Sequence, residues 1–395
     1  MQVDLIPRAA TIKLEGLKNN NKKTCMQIKT NNKQIKQYLE LFGVFVDPIL
    51  GIDLGSSAIK IIELGKKNDR YSIENFAIEY LQVGDIVEKN IRNKDAVSKA
   101  LEKAIIKSKA SSRLACISIP SAAVISKIIQ LDKNLSDKDI LSEISVEADR
   151  YIPYELEEVN LDFEIIGPST VSDRLMDVLL VVSKKENLNT RLSILESVGI
   201  KAKIVDTEAL SLERVFNKLI AKELPSQGKG QLIALLDIGA TNTSLNIFDN
   251  LRSVYNKDQS FGGQQLIDEI QKRYGLSLQE AILARKHNDL PEDYNVDVLE
   301  PFRVKLAQQI VRTCQLFLSS SEYKKIDYIV LFGGASNVDG LDELIKDMLK
   351  IKVFTINPFA SVAVADHILI DTLNEAAAGL LNCCGLALRN FEVQP

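Results

Sequence analysis

Two short segments carry the residue types that hold phosphates. Gly51-Ile52-Asp53-Leu54-Gly55-Ser56-Ser57-Ala58-Ile59-Lys60 and Asp237-Ile238-Gly239-Ala240-Thr241-Asn242-Thr243 share one design: an apolar strand ends in Asp, followed by one apolar residue, Gly and small hydroxyl or amide residues. A Gly at a hairpin tip lets backbone N–H groups converge on an anion, and a neighbouring Ser or Thr adds hydroxyl donors. Two such tips facing each other would grip a polyphosphate. Either alone is also an ordinary Asp-X-Gly turn sequence. A third element, Tyr328-Ile329-Val330-Leu331-Phe332-Gly333-Gly334-Ala335-Ser336, runs from an apolar strand through a Gly-Gly turn into a new helix. Such a turn lets the main chain approach a flat ligand closely.

The elements that must position these turns are legible around them. Ile59 to Leu64 and Ser72 to Tyr80 continue a meander from the first hairpin. Asp95 to Lys109 reads as a helix with Ala96, Ala100, Leu101, Ala104 and Ile105 on one face, and Ala115 to Ile119 as a buried strand. From Ser121 to about Val205 the pattern is β-α-β-β-α-β. Its first strand is Ala123 to Gln130. A helix capped by Ser136 follows, with Ile140, Leu141, Ile144 and Ala148 inward and Pro153 as its stop; Leu161 to Ile166 and Asp177 to Val182 are the central strands. The second helix opens on the capping-box pattern Ser183-Lys184-Lys185-Glu186, buries Leu188, Leu192, Leu195 and Val198, and closes at Gly199 before the strand Ile200 to Val205. In the second half Phe261-Gly262-Gly263 introduces a helical stretch to about Lys325. The last helix, Asn374 to Arg389, is dense in small residues that permit close helix crossing.

A chain of 395 residues with 46% apolar content suggests two to four domains with real cores. The net charge of −4 gives no reason to expect nucleic-acid binding, and no zinc or RNA motif is present. Cys25, Cys116, Cys314, Cys383 and Cys384 lack metal spacing and read as reduced, mostly buried thiols; His287 and His367 stand alone. No signal peptide is visible, and no apolar run approaches the roughly 20 residues that span a bilayer. Residues 1–40 hold eight Lys/Arg against three Asp/Glu and are rich in Asn and Gln, so they read as a basic, disordered arm.

The order of phosphate hairpin, phosphate hairpin and Gly-Gly turn resembles the actin/hexokinase/Hsp70 ATPase superfamily, in which ATP lies between two related halves. Within it, the run from Ser145 through Tyr151-Ile152-Pro153-Tyr154-Glu155-Leu156-Glu157-Glu158-Val159, then Asp162-Phe163-Glu164, looks like the signature of the PilM family of type IV pilus assembly. So do Asp206-Thr207-Glu208-Ala209-Leu210, Gly275-Leu276-Ser277, Leu290-Pro291-Glu292-Asp293-Tyr294 and Asn357-Pro358-Phe359, covering about residues 48 to 389. PilM is similar in turn to the division protein FtsA, so the resemblance implies an α/β, actin-like two-lobed fold with ribonuclease H-like halves and an FtsA-type insertion. The expected organisation is an arm over 1–47, a first half over 48–120 and 201–228 interrupted by the insertion at 121–200, and a second half over 229–260 and 327–395 enclosing a helical subdomain at 261–326.

By the same resemblance Gly55, Ser56, Ser57 and Lys60 would hold phosphates from the first half, with Gly239, Thr241 and Asn242 closing from the second. Asp53 and Asp237 would hold a hydrated Mg²⁺, an ion that keeps much of its water. Gly262, Gly333, Gly334 and Ser336 would flank the nucleoside of ATP. In the helix Gln279 to Arg285, Arg285 keeps the cation of the family's pattern, whereas Ile282 replaces the acid expected to contact the ribose.

Glu208 is the candidate for orienting water, and ATP binding with slow or absent turnover is expected. The implied role is cytoplasmic, at the inner face of the membrane without spanning it. The implied partners are the cytoplasmic tail of the membrane protein PilN, other pilus assembly proteins and a second copy of the chain. Tyr151, Pro153, Tyr154, Glu155, Glu157 and Glu158, with the strand Ala123 to Gln130, would shape the docking groove between the first half and the insertion. Two other functions fit the fold: an FtsA-like cell-division ATPase, which usually ends in a membrane helix after a linker, and a small-molecule kinase, which needs an acceptor base between the halves. Val3-Asp4-Leu5-Ile6-Pro7 is similar to the Ile-Asn-Leu-Leu-Pro motif of PilN tails, and an arm of about 40 residues has a reach on the order of 35 Å, enough to return to that groove. Met26 is the alternative start.

Overall fold

The computed structural model describes residues 48–67 and 70–392. The arm, its Val3 to Pro7 motif, Met26 and Cys25 lie outside the described residues.

The first half opens with the meander β1 (Leu50–Leu54), β2 (Ala58–Lys67) and β3 (Arg70–Tyr80), followed by a small hairpin of β4 (Ile86–Val87) and β5 (Asn90–Ile91). Helix α1 (Lys94–Ser108) starts at Asn93, whose side chain accepts from Ala96 N–H, and buries Val97, Ala100, Leu101, Ala104 and Ile105. Strand β6 (Leu114–Ile119) completes this stretch. The next six elements follow in the anticipated order: β7 (Val124–Asp132), α2 (Asp137–Val146) with the short turn α3 (Ala148–Tyr151), β8 (Val159–Pro168), β9 (Leu175–Lys184), α4 (Lys185–Ser197) and β10 (Lys201–Thr207). Ser136 caps α2 in a reciprocal box with Asp139.

Two details differ from the sequence pattern. Ser183 does not cap α4; it is still in β9, its hydroxyl donates to Ala123 O, and Lys184, which precedes the helix, gives it no side-chain cap. Leu141 is exposed, because α2 covers its small sheet with Ile140 and Ile144 alone.

These six elements serve two sheets. β7, β9 and β8 form an antiparallel three-stranded sheet, in that spatial order, over a core of Ile129, Leu131, Ile140, Ile144, Ile152, Val178 and Leu180. β10 instead runs parallel to β6 in the large sheet, and Leu188, Ile194 and Leu195 of α4 pack into the core of the first half.

Helix α5 (Glu208–Val215), capped by Thr207, leads towards the second half. There β11 (Leu232–Ile238), β12 (Thr243–Asp249) and β13 (Arg252–Gln259) form a second meander, followed by α6 (Gly263–Tyr274), α7 (Leu278–His287), the long α8 (Glu300–Ser320), β14 (Tyr328–Phe332), α9 (Leu341–Leu349) and β15 (Lys352–Thr355). A two-residue β16 (Ala363–Val364) returns to pair with β3, and α10 (Ile370–Ala376) and α11 (Leu381–Leu388) are the last α-helices among the described residues.

The large sheets repeat one another. Their orders are β3-β2-β1-β6-β10, extended by β16, and β13-β12-β11-β14-β15. In each, an antiparallel meander is joined by two parallel strands on the far side of its first strand. One buried cluster joins the halves, with Leu212, Val215 and Phe216, Ile233 and Phe248, and Leu381 and Cys384 in contact. Helices α5 and α11 cross closely there: a Cβ on Gly385 would lie 2.1 Å from Ser211 O, so only Gly fits.

Candidate functional site

Both hairpin tips close in the same way. Gly55 N–H donates to Ala58 O at 3.1 Å and Gly239 N–H to Asn242 O at 2.9 Å, so each Gly sits inside a tight loop. Ser56, Thr241 and Asn242 are half-buried on these loops, and Ser57 is exposed. The second tip is backed by the start of α6, where Gly263 N–H bonds Gly239 O and Gln264 N–H bonds Ala240 O. Gly262 lies against the same loop: a Cβ there would meet Gly239 O at 2.5 Å. Gly333, at φ +99°, passes so close to Asp237 that a Cβ would come within 2.3 Å of its carboxylate. Gly334 faces open space, whereas Ser336 is buried and spends its hydroxyl on Gly333 O within the turn. Arg285 is half-buried on α7, near Tyr294, while Ile282 is exposed.

The charges converge between the halves. Lys60 Nζ lies 3.4 Å from Asp53 Oδ2, and Asn382 of α11 donates to Asp53 Oδ1 at 2.9 Å. Burial alone would lower the Lys60 ammonium, but Asp53 of its own half and Asp237 of the other raise it. Burial, reinforced by Asp53 and Glu208, pushes the Asp237 carboxyl up to about 6 against the pull of Lys60 and Lys89. Glu208 is likewise raised by burial, with Lys89 opposing. Lys89 Nζ lies 2.7 Å from Glu208 Oε2 and 3.0 Å from Asp258 Oδ2. Sequence reasoning missed Lys89 and Asp258, since neither stands in a motif.

Among the described residues no three His, Cys, Asp or Glu side chains cluster as metal ligands. Both Asp53 oxygens are already engaged, so the donor set suits an ion held through its own water rather than an all-protein cage.

The residues expected to shape a partner groove separate into two places. An open groove of about 660 Å³ is lined by Lys127 to Asp132 of the edge strand β7, with Glu143, Glu147, Arg150 and Tyr151 opposite. Tyr151 lies in it and donates to Glu147 Oε2 at 2.8 Å. Pro153, Tyr154, Glu155, Glu157 and Glu158 are exposed on the segment leading into β8, which β9 separates from β7. Lys184 sits 4.3 Å from the Tyr154 ring centre and Lys185 donates to Glu157 O at 2.6 Å, so this segment borders the start of α4.

Cys116, Cys314, Cys383 and Cys384 are buried free thiols. Among the described residues, no helix is long and apolar enough to cross a membrane.

Comparison with known structures gives the fold a place. The chain is similar to a solved PilM-PilN type IV pilus biogenesis complex, at 23% identity over 87% of this chain and 99% of that one, with a TM-score of 0.72. It also resembles the ethanolamine utilization protein EutJ from Carboxydothermus hydrogenoformans, at 12% identity over 91% of this chain and 99% of that one, with a TM-score of 0.51. The paired sheets, each with one strand order, are those of the actin-like two-lobed fold. A family model described as type IV pilus assembly protein PilM matches residues 51–391. The chain belongs to the PilM family of actin-like type IV pilus assembly proteins.

Proposed function

We propose that this pilus assembly protein binds ATP with Mg²⁺ between its halves and presents its insertion and first half to the cytoplasmic tail of PilN. The observation that carries the nucleotide reading is the position of Lys60, tied to Asp53 of one hairpin and acting on Asp237 of the other. Both tips therefore address one space. Gly55, Ser56, Ser57, Gly239, Thr241 and Asn242 supply N–H, hydroxyl and amide groups to the phosphates, Lys60 supplies charge, and Gly262, Gly333, Gly334, Ser336 and Arg285 border the nucleoside. The ion, held through water by Asp53 and Asp237, would neutralise phosphate charge.

Turnover is slow or absent. Glu208 would have to orient water, yet its Oε2 accepts from Lys89 at 2.7 Å and from Ser121 N–H at 3.3 Å. The neighbour of similar fold was solved with PilN, which supports the PilN tail as the partner here. That tail would hold the protein at the inner face of the cytoplasmic membrane.

Gly334 offers the cleanest test, because a Cβ built there has no neighbour within 4 Å. Gly334→Leu should leave the thermal midpoint unchanged and lower ATP affinity at least about ten-fold by calorimetry. Retained affinity would remove the cleft assignment. In the same titrations, a PilN-tail peptide should bind wild type and lose affinity to the triple charge reversal of Glu155, Glu157 and Glu158. Wild-type binding by that variant would move the docking surface to the β7 groove.

A further inference from the structure

Lys89 lies in the two-residue turn between β4 and β5, and both turn residues, Glu88 (φ +48°) and Lys89 (φ +63°), adopt the left-handed conformation that Gly or Asn usually supplies. The buried Arg191 of α4 pins the turn from behind, its Nη2 donating to Lys89 O at 2.9 Å. This strained and pinned turn aims one ammonium into the space between the halves. It meets Glu208, the first residue of α5 in the first half, and Asp258 on β13 in the second. Asp258 is itself fixed, since Ser244 Oγ donates to its other oxygen at 2.5 Å. The three charged side chains are only 16–20% exposed, so solvent screens them far less than a surface pair.

The position on α5 gives the contact leverage. Near the far end of that helix Arg214 is bound to Asp206 and to Gly385 O, where α5 and α11 cross. Glu208 lies roughly 9 Å further along the helix, towards the cleft. Rotation of one half against the other about the crossing would stretch the Lys89 bridge well before it disturbed Arg214.

We propose that Lys89 is a latch between the halves, and that the cleft cannot widen to admit or release its ligand without breaking the Lys89–Asp258 pair. The consequence for nucleotide exchange rests on the ATP-binding reading; the latch itself does not.

The test uses the full chain with Cys25→Ser and nitroxide labels at Lys99→Cys on α1 and Lys346→Cys on α9, both exposed. The remaining four thiols are buried. Pulsed dipolar spectroscopy on nucleotide-free protein should show a longer or broader distance distribution in Lys89→Met and a near wild-type one in Lys89→Arg. Asp258→Asn, which leaves the strained turn and Glu208 intact, should reproduce the Lys89→Met result and decides the matter if Lys89→Met folds poorly. Release of a fluorescent ATP analogue should quicken about ten-fold in both variants, about the effect of one partly buried ion pair. An unchanged distance distribution, or unchanged release from a variant that binds the analogue, overturns the latch. If neither wild type nor variants bind the analogue, the nucleotide reading fails and the distances alone judge the latch.

Discussion

The two phosphate-type hairpins are built to one plan and supported in opposite ways. In the first half Asp53 is anchored on both oxygens, by Lys60 and by Asn382 of α11. In the second half no side chain among the described residues donates to Asp237, and its carboxyl is raised to about 6. The main chain supports the second hairpin instead: the N-terminus of α6 bonds its tip, and Gly333 packs against its Asp. The first hairpin therefore belongs to a fixed floor, with its charge neutralised before any ligand arrives. The second keeps a carboxylate that burial disfavours even with Lys60 and Lys89 acting on it. If the cleft binds ATP as proposed, the duplicated fold divides that binding between an anchored half and a responsive half.

The largest test of that division is Gly333. Its φ of +99° strains any L-residue, and a Cβ would press on Asp237 Oδ1, Ile238 O and Ile238 N, all within 2.6 Å. Gly333→Ala should cost at least about 2 kcal/mol and weaken nucleotide binding together with stability. Alanine at the adjacent Gly334, which faces open space, should change stability by no more than about 0.5 kcal/mol. Thermal midpoints of the two variants give the comparison directly. Similar losses would mean that the turn, rather than its approach to Asp237, matters.

That contrast also marks how far the sequence could be read. The hairpins, the Gly-Gly turn and the order of strands and helices were legible because each depends on residues within a few positions of one another. Glycine at a tip and period-two strands are local signals. Long-range contacts were not legible. Lys89 reaches partners 119 and 169 residues away in the chain, from a turn lacking the usual Gly or Asn. Local patterns failed where tertiary structure took over their atoms. Ser183 matches a capping box but continues a strand and gives its hydroxyl to Ala123 O. Position in the chain gave no sign that α4, inside the expected insertion, packs into the first half's core; the burial of Leu188, Ile194 and Leu195 there shows it.

A smaller effect is expected at the anchor. Asn382 donates to Asp53 Oδ1 at 2.9 Å and to Ser118 Oγ at 3.3 Å. Asn382→Ala leaves one oxygen of a buried carboxylate without its donor, at a cost of about 1–2 kcal/mol. If the first half is the fixed floor, the loss should appear as stability, with ATP affinity per folded molecule falling less than about three-fold. A large affinity loss without a stability loss would make Asn382 part of the ligand site and erase the contrast with the second half.

The smallest effect, and the one with a sign of its own, concerns Asp237. Its carboxyl is raised from an ordinary 3.8 to about 6 in the folded chain, so between those values the native state holds a proton that the unfolded chain has released. Stability from this group is therefore present at low pH and is lost as pH rises through about 6, leaving the ligand-free protein strained at neutral pH. Because Asp237 is partly exposed, the penalty is on the order of 1 kcal/mol after allowance for solvent screening. Asp237→Asn should then raise the thermal midpoint at pH 7, flatten its dependence between about pH 4 and pH 6, and weaken the Mg²⁺ dependence of ATP binding. Asp53→Asn should do the reverse for stability, since it breaks a satisfied contact with Lys60. Parallel pH-dependent melts of the two variants measure the asymmetry, and equal shifts of one sign would show that both hairpins are supported alike.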